Sequence, residues 1–161
     1  MTQSTARDLL ATLFEGAPRF VALLAQPDGQ AITDVLARAD QVAHNMPEDE
    51  QIELLNAHPR IGALPSSVSA LSYEEQGYER DPGTHELQAR LDLLNAEYEQ
   101  RFGFRFVVFV AGRPRSDIAD FMESRLWASR EEELARGLSD VIAIAKDRLG
   151  KLTTVEEGSS A

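Results

Sequence analysis

Apolar side chains recur every three or four residues along most of the chain, which is the spacing of one face of an α-helix. Proline and glycine interrupt this periodicity and mark where each helix should end. The predicted helices cover residues 6–26 with a break near Pro18, 32–46, 47–58, 72–80, 87–102, 118–126 and 131–152. We therefore predict an all-α fold, a single bundle of seven or eight helices over residues 1–152, followed by a flexible C-terminal tail over 153–161.

One run departs from the helical pattern. The segment from Phe104 to Val110 reads FRFVVFV, and its density of β-branched and aromatic side chains is typical of a strand. The chain has no second run of this kind that could pair with it. We therefore predict a short buried extended segment near residues 104–110 rather than a sheet.

Composition and charge limit the classes of partner. The chain has 161 residues, of which 43% are hydrophobic, so one domain can bury a real core. Its formal net charge of −11 argues against binding to nucleic acid, which needs a basic face, and against an anionic membrane surface. A small anionic substrate stays compatible with this charge, because a few arginines can form a local pocket.

Several kinds of chemistry are excluded by what the sequence lacks. There is no cysteine, which removes disulfides, cysteine-ligated metals and thiol nucleophiles. The glycine-rich motifs that bind nucleotides and the H-E-x-x-H motif of zinc hydrolases are also missing. No apolar run approaches the roughly 20 residues of a membrane span, and the N-terminus does not resemble a secretory signal. We expect a cytoplasmic protein that binds no metal.

Two cationic residues are candidates for chemistry. His58 precedes Pro59, which should end a helix, and a helix C-terminus favours a protonated imidazole. The alternative is a half-exposed histidine that only closes the helix. Arg148 lies beside the apolar stripe of the last predicted helix, where its side chain could bind a substrate carboxylate or only extend to solvent.

A polar group of residues is the third candidate. Ser72, Glu75 and Gln76 stand at i, i+3 and i+4, so a helix would present them on one face. This face would offer a hydroxyl, a carboxylate and an amide to a ligand. The alternative is a capping box, for which a serine and a glutamate at this spacing are what the helix start requires.

Five segments, in order along the chain, resemble one family. They are ELLNAHPRIG over 53–62, SYEEQ over 72–76, LNAEYEQRFGFRFVVFVAGR over 94–113, SRLWASREEEL over 124–134 and IAIAKDRL over 142–149. Together they are similar to the 2-oxo-4-hydroxy-4-carboxy-5-ureidoimidazoline (OHCU) decarboxylases, the last enzymes of the route from uric acid to (S)-allantoin. The resemblance implies an all-α, cofactor-free homodimer that acts on a small molecule and releases CO2.

The resemblance also assigns roles to residues. It implies that His58 is the catalytic acid–base group, assisted by Glu75 and Arg148. It further implies that Pro59, Ser72, Glu75, Gln76 and Arg148 contact the substrate. Backbone groups of the segment Phe106, Val107, Val108, Phe109 and Val110 are expected to do the same.

The chain departs from the family pattern at two arginines. Arg105 stands where the family usually has proline, and Arg60-Ile61 follows His58-Pro59 where Asp-Leu is usual. These residues motivate one alternative, a lyase that acts on a related ureido or imidazoline compound. A second alternative is a helical protein-interaction module that has lost its activity.

Overall fold

The predicted all-α fold is confirmed. The computed structural model describes residues 2–26, 29–62 and 85–160, with side chains over 7–26, 29–62 and 85–152, and these residues contain seven helices and no strand. The helices are α1 Thr2–Leu13, α2 Pro18–Leu24, α3 Ile32–Asn45, α4 Glu48–Asn56, α5 His85–Phe102, α6 Arg115–Arg125 and α7 Arg130–Ser160. The helix predicted over 72–80 lies outside the described residues.

The last helix is longer than its apolar periodicity indicates. The apolar stripe ends at Leu152, and the sequence therefore predicted a flexible tail, but α7 continues to Ser160. No proline follows Leu152, and each added residue closes one more backbone hydrogen bond once a helix exists. The helix therefore extends beyond its apolar stripe, and the flexibility of residues 153–161 stays a prediction.

Local signals in the sequence define the helix that precedes His58. Three acidic residues, Glu48, Asp49 and Glu50, occupy the first turn of α4, where the positive end of the helix dipole stabilises them. The helix ends at Asn56, and Ala57 caps it by donating its backbone N–H to Glu53 and Leu55. The chain leaves the helix just before the His-Pro pair, as the proline predicted.

The described chain divides into two compact units. The first comprises residues 1–57 and 138–161, and the second comprises residues 58–137. In the first unit, the rings of Phe14 and Phe20 meet edge to face at 4.9 Å, and both are almost fully buried. No helix in the described part of the chain is long and apolar enough to cross a bilayer.

Aromatic side chains form the core of the second unit. The ring of Tyr98 lies 4.6 Å from that of Phe102, 6.1 Å from that of Phe104 and 5.1 Å from that of Phe106, between centroids. Pairs at this separation stabilise a core beyond their buried area. The segment 104–110 thus supplies part of the core although it is neither helix nor strand, which fits the predicted buried segment.

The turn between α1 and α2 provides a test of packing in the first unit. Gly16 has a φ of +80°, and a Cβ there would lie 3.3 Å from the Cβ of Ala57, the residue before His58. Gly29 has a similar φ of +84° with no atom within 4 Å of such a Cβ. We expect Gly29→Ala to cost about 1 kcal/mol of unfolding free energy through backbone strain alone. Gly16→Ala should cost about 2 kcal/mol or more, because the neighbour must also move.

Urea denaturation of the two variants measures this difference. Equal losses at both positions would contradict the proposed close contact between the α1–α2 turn and the end of α4.

Candidate functional site

His58 is buried. It lies two residues beyond the end of α4, and only 8% of its surface is exposed. Pro59 follows it and is half-buried. A histidine that only closed the helix was expected to be half-exposed. The burial of His58 differs from that expectation. A buried imidazole next to a helix C-terminus is suited to binding or proton transfer inside a protected site.

The two arginines that depart from the family pattern hold the loop that carries His58. Arg105 donates from Nη1 to the backbone carbonyl of His58 at 3.1 Å. Arg60 forms two hydrogen bonds with the carboxylate of Glu99 on α5, at 2.6 and 2.8 Å. The hydrogen bonds to Glu99 raise the pKa of Arg60 above its ordinary value. Both guanidinium groups thus contact protein groups beside the His-Pro pair.

Side chains of α5 fix the residues that follow. Buried Asn95 donates its amide N–H groups to the carbonyls of Ile61 and Leu91, both at 2.9 Å. Gln88 donates to the carbonyl of Gly62 at 2.9 Å. The bonds to Ile61 and Gly62 satisfy backbone carbonyls that no helix or strand pairs. Residues 60–62, directly after the His-Pro pair, are therefore each bonded to α5.

In the segment of residues 106–110, arginines bond to three backbone carbonyls, and four backbone N–H groups donate to no described residue. Arg136 donates to the carbonyl of Val107 at 3.1 Å. Arg113 donates to the carbonyls of Phe109 and Val110, at 2.6 and 3.0 Å. Within the described residues, the backbone N–H groups of Phe106, Val107, Val108 and Val110 donate no hydrogen bond, although all four residues are at most 5% exposed. Buried amides are almost always paired, so these four donors are exceptions to that rule.

A buried carboxylate connects the elements around this segment. Glu133 is fully buried, and its oxygens accept hydrogen bonds from the Tyr98 hydroxyl at 2.7 Å and from Arg125 Nε at 2.6 Å. Arg136 Nε donates to the same carboxylate at 3.1 Å. Burial, and then the hydrogen bond to Glu133, raise the pKa of Tyr98 far above its ordinary value.

Arg148 belongs to the first unit. Its side chain is 1% exposed, and it donates from Nη1 to the carbonyl of Leu13 at 3.2 Å, at the end of α1. Its Nη2 lies 3.5 Å from the carboxylate of Glu15. The guanidinium does not extend to solvent, and it already lies next to one carboxylate.

The structure groups only some of the predicted site residues. His58, Pro59 and the segment 106–110 belong to the second unit, whereas Arg148 belongs to the first. Ser72, Glu75 and Gln76 lie outside the described residues. No group of three or more histidine or acidic residues that could hold a metal occurs among the described residues. The absence of a metal requirement stays a prediction from the sequence.

Sequence reasoning missed Glu133 and Arg136. A signal was present for Glu133, because it falls four residues before Gly137 and in register with buried Val141 and Ala145 on one stripe of α7. For Arg136 the sequence offered only its i, i+3 spacing from Glu133, because its other partners come from two other parts of the fold, the segment 104–110 and α6.

Comparison with known proteins defines the class of this helical chain. A family model described as OHCU decarboxylase matches residues 1–150. The chain therefore belongs to the OHCU decarboxylase family.

The relatives include a longer bifunctional protein and shorter OHCU decarboxylases. A uric acid degradation bifunctional protein of Bacillus subtilis is 29% identical over 168 residues, which cover 99% of this chain and 32% of that protein. The chain thus spans about a third of the length of that relative. An OHCU decarboxylase of Halalkalicoccus jeotgali is 34% identical over 115 residues, covering 70% of this chain and 64% of the relative. One from Xenopus laevis is 25% identical and covers 88% of this chain and 84% of the relative.

Solved structures share the fold. A crystal structure of an OHCU decarboxylase in the presence of (S)-allantoin has a TM-score of 0.71 at 19% identity, covering 89% of this chain and 96% of the other. A crystal structure of an (S)-allantoin synthase has a TM-score of 0.69 at 20% identity and covers 94% of this chain and 50% of the other. At these identities the likeness establishes the helical fold.

The hydrogen bond between Tyr98 and Glu133 predicts a dependence of stability on alkaline pH. Tyr98→Phe should lose about 1 kcal/mol of unfolding free energy at pH 7, because one donor to the buried carboxylate is removed. In the wild type the folded-state pKa of Tyr98 is raised, so its contribution is complete below about pH 10, where the unfolded tyrosine ionises. The contribution is then lost as the pH rises further. The difference between the two proteins should therefore shrink above about pH 10.

Urea denaturation at pH 7, 9 and 11 measures that difference. A gap that stays constant across these values would show that Tyr98 ionises equally easily in the folded and unfolded chains.

Proposed function

We propose that this protein catalyses the cofactor-independent decarboxylation of OHCU to (S)-allantoin and CO2 in urate degradation. Membership of the OHCU decarboxylase family supports this activity. The observation that carries the proposal is the burial of His58 directly after α4, in a loop fastened by Arg105 and Asn95. A histidine that only closed a helix would not need that support.

The chemistry needs three contributions from the protein. Breaking the bond between the ring carbon and the carboxylate leaves an electron pair, which the adjacent C=N and carbonyl groups of the substrate can delocalise. The substrate therefore serves as its own electron sink. The protein must hold the carboxylate out of the ring plane, stabilise the developing charge and deliver one proton to one face of the ring. Delivery to a single face makes the product chiral.

We assign the carboxylate to Arg148. A planar guanidinium with paired donors matches a carboxylate, and a site that is 1% exposed strengthens the attraction. The carboxylate of Glu15 accepts a hydrogen bond from Nη2 of this guanidinium at 3.5 Å. A substrate carboxylate would share or replace that contact.

We assign the proton to His58. Glu75 would orient the substrate hydroxyl and the imidazole, and its charge would favour the protonated imidazole. Ser72, Gln76 and the amides of residues 106–110 would hydrogen-bond to the ureido and ring groups, with Pro59 against the substrate. The buried N–H groups of Val108 and Val110, which donate to no described residue, support this use of the segment.

Assembly and location are further parts of the proposal. We expect a cytoplasmic homodimer that needs neither a metal nor an organic cofactor, in accord with the family resemblance. Light scattering after size-exclusion chromatography tests the dimer, and a monomer at micromolar concentration would contradict it.

One observation bears on the alternative of a different ureido substrate. Arg60 and Arg105 motivated that alternative, but they contact Glu99 and the carbonyl of His58, respectively. These contacts account for both departures as supports of the loop. The alternative of an inactive interaction module is decided by the assay below.

Replacement of His58 tests the proposed activity. Substrate is generated from urate with the upstream enzymes, and allantoin is followed by circular dichroism. We expect fast formation of (S)-allantoin by the wild type and a loss of about 10²- to 10⁴-fold in His58→Ala, the range for removal of a general acid–base group. His85→Ala is the matched control, because His85 is an exposed histidine at the start of α5.

The outcomes separate the alternatives. A folded wild type with no rate above the uncatalysed reaction would favour the interaction module. A His58→Ala variant as fast as His85→Ala would remove His58 from the mechanism.

Replacement of Arg148 tests the carboxylate contact. Arg148→Lys keeps the charge but loses the planar fork, so KM should rise about tenfold or more. Glu15→Gln keeps the guanidinium and removes its ionic neighbour, so this variant should not raise KM. If both variants lower the melting temperature and neither changes KM, Arg148 serves only to cap α1.

A further inference from the structure

We propose that Arg136 and Arg113 are positioning residues that orient the backbone N–H groups of Val108 and Val110 toward the substrate. This inference rests on the proposed function, because it takes the segment 106–110 as part of the substrate site. Neither arginine belongs to the set that the family resemblance implies.

Each arginine fixes one peptide unit through its carbonyl. Arg136 holds the carbonyl of Val107 at 3.1 Å, and Arg113 holds the carbonyl of Phe109 at 2.6 Å. The carbonyl of one residue and the N–H of the next belong to the same planar peptide unit, and in a trans peptide they point in opposite directions. Arg136 therefore fixes the direction of the Val108 N–H, and Arg113 fixes that of the Val110 N–H.

Both N–H groups are among the four in the segment that donate to no described residue. Val108 is 4% exposed and Val110 is 5% exposed, and neither donates a backbone hydrogen bond to any described residue. A segment that is neither helix nor strand has no backbone ladder to set the direction of its amides. The two guanidinium groups supply that constraint from the carbonyl side.

Arg136 is itself rigidly placed. Its Nε donates to both oxygens of buried Glu133 at 3.1 Å. Its Cζ lies 4.9 Å from the ring centroid of Phe106 and 5.4 Å from that of Phe121. Stacking on two rings and bonding to a carboxylate leave the planar group little freedom.

Arg113 reaches the segment from the following turn. Its Cζ lies 5.7 Å from the ring centroid of Phe121, so one half-buried ring contacts both arginines. Its Nε also donates to the carbonyl of Val110 at 3.0 Å. Arg113 is exposed overall, so its replacement should leave the core intact.

The test compares three arginine-to-lysine variants. Arg136→Lys and Arg113→Lys keep the charge, but one ammonium cannot reproduce the several directed bonds of a guanidinium. Arg90→Lys is the matched control, because Arg90 pairs with Asp120 and Glu123 at the surface of the same unit and has no described hydrogen bond to residues 106–110. For each protein we would measure kcat and KM for freshly generated substrate and the melting temperature.

We expect KM to rise about tenfold in Arg136→Lys and about fivefold in Arg113→Lys, with kcat within about twofold, because the amides contact substrate and transition state alike. Arg90→Lys should match the wild type. If KM of both segment variants stays within twofold while the melting temperature falls, the arginines have a structural role alone and the proposal is wrong.

A second readout separates this proposal from the proposed function. In ¹H–¹⁵N spectra of the wild type, added (S)-allantoin should shift the amide signals of Val108 and Val110. Arg136→Lys should weaken the shift at Val108, and Arg113→Lys that at Val110. If the wild type is inactive but shows these shifts and their selective loss, the proposed reaction fails and the positioning role stands. If allantoin shifts neither amide, the positioning role fails, whatever the activity.

Discussion

The buried carboxylate of Glu133 is the constraint on which the second unit depends. Removing a charged carboxylate from water costs several kcal/mol unless donors surround it. Tyr98 on α5, Arg125 on α6 and Arg136 on α7 provide those donors. The same interaction therefore joins three helices, and through Arg136 it reaches the carbonyl of Val107. A hydrophobic residue at this position could fill the volume but could not fix the directions of these side chains.

Arginine side chains serve repeatedly as partners for irregular backbone. Where the chain leaves a helix, its carbonyls lose their regular partners, and a guanidinium offers several donors in one rigid plane. Although the net charge of the protein is −11, its arginines bond to backbone carbonyl groups as well as to acidic side chains at the surface. The carbonyls bonded in this way include those of Leu13, Leu24, Gln26, His58, Phe102, Val107, Phe109 and Val110.

The same principle accounts for the departures from the family pattern around His58. A proline at position 105 would restrict the backbone by its ring, whereas Arg105 restricts the loop by bonding to the carbonyl of His58. Arg60 adds a paired contact with Glu99 on α5. Different side chains can therefore hold one histidine in place, so a change beside a site does not by itself imply a new substrate.

The sequence by itself determined the helices of the described residues, the irregular buried run and the family. Helix periodicity, prolines and capping signals act within a few residues, so they are legible in the chain, and α4 ends before His58 as Pro59 indicated. The motifs around His58 and over 94–113 were sufficient to indicate the family that the comparison established.

Only the tertiary structure decided which polar groups are buried and what they contact. Glu133 lies 35 residues from Tyr98, and Arg136 lies 29 residues from Val107. No local pattern encodes such pairs, because burial of a charge is favourable only when distant donors meet it. For the same reason the sequence placed Arg148 at the edge of a stripe, and the fold buried it beside Leu13 and Glu15.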